Sequence, residues 1–315
     1  MTADRFGAVP SGEYTALAAV RDQAADYAAL LEPAVPAVPA VPADPAPPIQ
    51  PVAEQSAPVS PPGDRRWRPA IPPQHGAWAF LIVPVLCGFA VAGTSAAGWL
   101  LLAAWVCAYP VGYYLGRGLS ARVRRGSWTR LARRERSRAV PWAVVTAGLG
   151  LPLALTRPWL VGVAALLTVL WGLGLWLAAR RGERSLANDL MLVAQATVAL
   201  PLTVAVVAGP SALVGDLAGQ AIEATAVVAA YLAGSVLHVK SLLREAGNST
   251  FHRANVAWHG TLAVVSGLAS PWWLLAFGPA LARAVLLRPG LRPGAIGGVE
   301  AVVAILVVAA AFLAV

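Results

Sequence analysis

The stretch Trp159–Ala179, WLVGVAALLTVLWGLGLWLAA, decides the fold. It contains no charged residue and is closed by Arg180 and Arg181. A helix rises about 1.5 Å per residue, so about 20 apolar residues cross the hydrocarbon core of a bilayer. Working outward, the same signature recurs at Ala77–Ala92, Gly98–Leu115, Val140–Leu155, Leu190–Ala208 and Ile222–Leu243. It recurs again at Val256–Ala269, Trp272–Leu287 and Val299–Val315. The pattern predicts an all-α, polytopic transmembrane bundle of about nine spans. Spans 7 and 8 are short and meet at Pro271, so they read either as two crossings or as a re-entrant pair.

Composition supports this. The chain has 315 residues, 58% of them hydrophobic and 12% charged. A soluble domain carries about 25% charged residues, so a soluble globular protein is excluded. Cys87 and Cys107 lie inside apolar runs without CxxC spacing and read as packing residues. No basic region followed by an apolar core opens the chain, so span 1 is expected to direct insertion.

Charge divides the chain in two. Residues 1–64 set two arginines against eight acids, a net of −6. Residues 65–315 set 22 cations against seven acids, a net of +15. In the tail, Tyr14, Leu17, Val20 and Ala24 recur at helical spacing. The repeat PAVPAVPAVPADPAPP, Pro33–Pro48, follows. Proline at every third position suits polyproline II and packs no core. Residues 1–64 are therefore expected to be a disordered, acidic cytosolic tail, and residues 65–315 the transmembrane helical domain.

The arginines orient the bundle. Arg65, Arg66 and Arg68 precede span 1, and nine arginines from Arg117 to Arg138 separate spans 2 and 3. Arg180, Arg181 and Arg184 follow span 4, Arg244 and Arg253 separate spans 6 and 7, and Arg288 and Arg292 precede span 9. The alternate connections hold Arg157, Asp216 and Glu223. The positive-inside rule then predicts a cytoplasmic N-terminus and an external C-terminus in the inner membrane.

Polar residues gather on the same side. Gln74 and His75 stand at the head of span 1 in IPPQHGAWAF, Ile71–Phe80. RRGERSLAND, Arg180–Asp189, brings Arg181, Glu183, Arg184, Asn188 and Asp189 to the start of span 5. Asp189 also suits a helix N-terminus as a cap. LHVKSLLRE, Leu237–Glu245, carries His238, Lys240, Arg244 and Glu245 at the end of span 6. Lys240 and Arg244 are four apart and share a helix face. Lys240 is the only lysine in the chain, and a lysine near a helix end also reads as a snorkelling residue. The connection Ala246–Gly260 adds His252, Asn255 and His259. His259 is expected inside the membrane, where an unpaired polar group costs several kcal/mol and calls for a partner.

The QHGAW head, the ERSLAND segment and the HVKSLLRE segment resemble the YwiC-like family of bacterial membrane proteins. The resemblance covers approximately residues 70–315. It implies a polytopic inner-membrane protein without an established biochemical activity. The topology also resembles, remotely, the UbiA superfamily of intramembrane prenyltransferases. Those enzymes hold magnesium and a prenyl diphosphate with motifs of the NDxxDxxxD kind. Here Asn188-Asp189 opens such a string but continues as Leu-Met-Leu-Val, without the next carboxylates.

Three readings follow. The leading one is the binding or processing of an amphipathic, lipid phosphate-like anion at a cytoplasmic polar mouth. Arg181, Arg184, Lys240 and Arg244 would neutralise the headgroup, with Gln74, Asn188, Asp189 and His259 around it. His75 or His238 would act as acid or base, oriented by Glu183 or Glu245. The second is a redox protein binding haem, a quinone or a metal through histidines. The third is a transporter or scaffold built on small-residue packing. Membrane lipid is the expected partner. No motif specifies a cofactor, a metal site, a nucleic-acid target or an oligomeric state.

Overall fold

The computed structural model describes residues 71–72, 77–127, 129–181 and 186–315, with backbone only at 124–125 and 177–181. The chain divides into two units, Met1–Arg65 and Arg66–Val315, and every described residue belongs to the second. The tail expected over residues 1–64 therefore lies outside the described residues.

Among the described residues there are helices and no strand. Helix α1 is Ala77–Ala92, α2 Ala96–Arg125, α3 Arg130–Thr156 and α4 Trp159–Arg181. Helices α5, Leu186–Thr197, and α6, Ala199–Ala208, form one nearly continuous rod. Their break falls four residues before Pro201, whose missing N–H cannot bond the Thr197 carbonyl. Helix α7 is Ala218–Leu243 and α8 is Ser249–Ala269. A single 3₁₀ turn, Pro271–Trp273, leads into α9, Leu274–Leu286, and α10 is Pro293–Ala314.

Local chemistry sets the ends. The Gly98 amide donates to the Ser95 hydroxyl at 3.1 Å, opening α2. The Ala132 amide donates to Thr129 Oγ1 at 3.1 Å, opening α3, and the Phe251 amide to Asn248 Oδ1 at 3.0 Å, opening α8. Gly126 takes φ 66° at the end of α2, a left-handed conformation that a side chain resists.

Among the described residues, six helical segments are long and apolar enough to cross a membrane: α2, α3, α4, α5–α6, α7 and α10. Ala77–Ala92 and Pro271–Leu286 are apolar but shorter. Helix α8 has 21 residues but carries His252, Arg253, Asn255 and His259, and it falls outside the six. The expected helical bundle is present, and the chain is a multi-pass integral membrane protein. Helices α3 and α4 expose Val144, Leu155, Val161 and Val169, a surface that water would reject and lipid accepts.

Two sequence expectations need correction. The nine-arginine connection between spans 2 and 3 is mostly helix. Helix α2 runs to Arg125 and α3 starts at Arg130, so the turn is four residues long. The arginines ride on a packed helical hairpin, where Arg138 pairs with the buried Glu135 at 3.2 Å and lies over the Tyr114 ring. The connection Ala246–Gly260 is likewise mostly helix. Glycine and asparagine at 247–248 end the turn, and α8 begins at Ser249. His252, Asn255 and His259 therefore lie along one helix.

The core joins α1, α5–α7, α9 and α10. Val83 and Cys87 of α1, Leu200 and Val204 of α6, Val228 and Tyr231 of α7, Phe277 of α9 and Val303 and Val307 of α10 form it. Helix α1 can approach α6 because of Gly88. A Cβ there would lie 2.7 Å from Thr203 Cβ and 2.9 Å from the Leu200 carbonyl oxygen. Gly88→Val is expected to destabilise the protein by about 1–3 kcal/mol, the usual range for overpacking. Gly148→Val, where nothing stands within 4 Å, should leave the thermal midpoint in detergent near the parent value.

Candidate functional site

Two polar stations lie along α7. The outer one is at its C-terminal end. Lys240 and Arg244 are one turn apart, so their cations project on one side. Asp189, in the first turn of α5, reaches across to both. Its Oδ2 is 2.7 Å from Lys240 Nζ and 3.6 Å from Arg244 Nη1. The Lys240 side chain is 9% exposed and that of Arg244 43%. Lys240 is thus tied to Asp189. Asp189 still sits where the helix dipole favours a negative charge, but its carboxylate is engaged between helices. The station carries two cations and one carboxylate, a net single positive charge.

The inner station is buried. Glu300 of α10 pairs with Arg283 of α9 and accepts a hydrogen bond from the Ser235 hydroxyl of α7. His238 Nε2 stands 3.9 Å from Glu300 Oε1. Asn255 of α8 approaches His238 Nδ1 and Ser241 Oγ, each at 3.5 Å, through Nδ2. His259 packs edge-on against His238, with ring centroids 6.2 Å apart. The partner expected for His259 is found: its Nδ1–H donates to the Asn255 carbonyl at 2.9 Å. Gly234 makes room for this ring, since a Cβ there would lie 3.0 Å from His259 Nε2.

Arg283, Glu300 and Ser235 escaped the sequence reading. Their signal was available: an arginine in span 8 and a glutamate in span 9, opposite charges in consecutive apolar runs. Ionisable groups within membrane segments are costly and pair with one another. Arg283 Nε and Nη2 make no hydrogen bond among the described residues, and neither does His238 Nε2. Ionisable groups held at the heart of a membrane bundle are candidate functional residues.

A cavity of about 690 Å³ connects the two stations. Its walls are Trp78, Ile82, Val83 and Leu86 of α1, Val236 and Val239 of α7, and Ala301, Ala304, Ile305 and Val308 of α10. Asp189, Lys240 and Arg244 stand on it from the outer station, and Ser235 and Glu300 from the inner one. The order along each helix is consistent. Helix α7 leaves the cavity at Arg244, while α1 and α10 deepen into it from Trp78 and Gly297. The cavity is therefore amphipathic along its length.

The remaining predicted residues scatter. Asn188 turns toward α4, its Oδ1 3.9 Å from the place of a Cβ on Gly174. Glu245 sits in the turn after α7 and accepts from Asn248 Nδ2 at 3.0 Å. The carboxylate facing His238 is that of Glu300. Gln74, His75, Glu183 and Arg184 lie outside the described residues, as does the side chain of Arg181. Among the described residues, no three His, Cys, Asp or Glu side chains converge as a metal-binding group.

Residues 71–206, from the head of α1 through α6, match the family model of the YwiC-like proteins. The chain is also 28% identical over 228 residues to the uncharacterized protein YwiC of Bacillus subtilis (strain 168), covering 68% of this chain and 84% of that one. The chain is thus similar to the YwiC-like proteins over its first six helices. The family match takes in the α1 wall of the cavity and Asp189, while α7 to α10 lie beyond its limit. No solved structure matches this chain.

Proposed function

We propose that this protein binds an amphipathic anion of the lipid-phosphate kind, with the headgroup at Lys240 and Arg244 and the chain in the cavity. The observation that carries this reading is that one cavity joins both cations to an apolar wall drawn from α1, α7 and α10. A phosphate gains charge-assisted hydrogen bonds from a lysine and an arginine on one helix face. An acyl or alkyl chain gains about 0.8 kcal/mol per buried methylene. The depth suits this. From Glu300 to Ala309 the α10 wall extends about 13 Å at the helical rise. The arginine distribution supports an orientation with the cation end at the cytoplasmic face of the inner membrane. Processing of the bound molecule would fall to Glu300 on the cavity wall and to His238 beside it.

Dodecyl phosphate binding to the purified protein in detergent tests the reading. The parent is expected to bind it, and Lys240→Ala and Arg244→Ala to weaken it by about tenfold each, as for a lost hydrogen bond to a charged group. Asp189→Asn is expected to act in the opposite direction. It removes the negative charge that competes with the phosphate, so affinity rises several-fold at low salt. Equal affinity in the parent and the Lys240→Ala, Arg244→Ala double variant removes the outer station from the site.

A further inference from the structure

The inner station has no role in holding a headgroup at Lys240, yet it faces the same cavity. Ser235 lies five residues before Lys240 on α7, about 7 Å deeper at the helical rise. Around it the wall is apolar on α1 and α10, so Ser235 and Glu300 interrupt an otherwise greasy passage. A carboxylate has about four acceptor positions. Ser235 occupies one on Oε2, and Arg283 engages one on Oε1. Acceptor capacity therefore remains at Glu300, which is 8% exposed.

The charge of the pair decides what kind of donor fits. Arg283 balances Glu300, so the station is neutral as a unit. A second cation brought to it would shed its hydration with no net charge to repay the loss. A neutral hydroxyl gives up far less on leaving water and donates one hydrogen bond to the carboxylate.

We infer that the ligand of this cavity is a hydroxylated amphipathic anion, whose hydroxyl stands about 7 Å along the chain from the anionic head and donates to Glu300. This rests on the headgroup reading above and narrows it to a substrate class.

Three probes test it on the full-length protein in detergent: dodecyl phosphate, 4-hydroxydodecyl phosphate and 12-hydroxydodecyl phosphate. The hydroxyl on the fourth carbon reaches the inner station when the phosphate is at Lys240. The terminal hydroxyl would be forced among apolar walls. The parent is expected to bind the 4-hydroxy probe about tenfold more tightly than dodecyl phosphate, and the 12-hydroxy probe more weakly. In the Arg283→Met, Glu300→Leu double variant the ratio between the first two should fall to near one. Should that variant fail to fold, Glu300→Gln, which keeps a weaker neutral acceptor, should lower the ratio several-fold. Equal affinities for the first two probes in the parent overturn the inference, as does an undiminished ratio in a folded Glu300 variant. Failure of the parent to bind any of the three overturns instead the headgroup reading on which it rests.

Discussion

Replacing Arg283 with methionine is expected to lower the unfolding free energy by about 3–5 kcal/mol, because it leaves Glu300 charged and alone inside the bundle. The pair joins α9 to α10 with α7 beside it, and Arg283 is 4% exposed, so water cannot substitute for the guanidinium. The loss should be largely recovered in the Arg283→Met, Glu300→Gln double variant. There the carboxylate charge is gone and Gln can still accept from Ser235. The signature is a strong positive coupling between two single losses, read from denaturant titrations of the four proteins in one detergent. Additive losses would mean that Arg283 and Glu300 do not depend on each other.

The second large effect concerns the cavity. Ala301 lies on its wall and is exposed, so a larger side chain there projects into the passage rather than into the packed core. Ala301→Trp is expected to reduce dodecyl phosphate affinity about a hundredfold, the equivalent of roughly three or four buried methylenes. The thermal midpoint should stay near the parent value. The same substitution at Val144, which is 66% exposed on α3 away from the cavity, should leave binding intact. A matching loss at both positions would locate the chain elsewhere.

The bundle was legible because its evidence is local. A run such as Trp159–Ala179 must satisfy its backbone internally in lipid, and a helix does this within the segment. Helix ends were less so: the apolar runs stop at Leu115 and resume at Val140, yet helices α2 and α3 continue through the arginines between them. Arginine is a good helix former, so charge marked the membrane boundary without marking the helix end. The outer station was half legible. The spacing of Lys240 and Arg244 gave their common face, whereas the Asp189 bridge requires α5 and α7 to meet. His238, Asn255 and His259 of the inner station were read from the sequence, but Ser235, Arg283 and Glu300 were missed because they are dispersed over 65 residues and each sits in an apolar run. Only packing of α7, α8, α9 and α10 assembles them.

The central claim is that an anionic head and its chain occupy the cavity between α1, α7 and α10. The most direct measurement is photo-crosslinking of the protein in native membranes with a dodecyl phosphate carrying a diazirine near the middle of its chain, followed by peptide mapping. The account predicts adducts on Ile82–Leu86 and Ala304–Val308, lost when unlabelled dodecyl phosphate is added and reduced in Ala301→Trp. Adducts spread over the exposed faces of α3 and α4, with no competition by unlabelled probe, would contradict it.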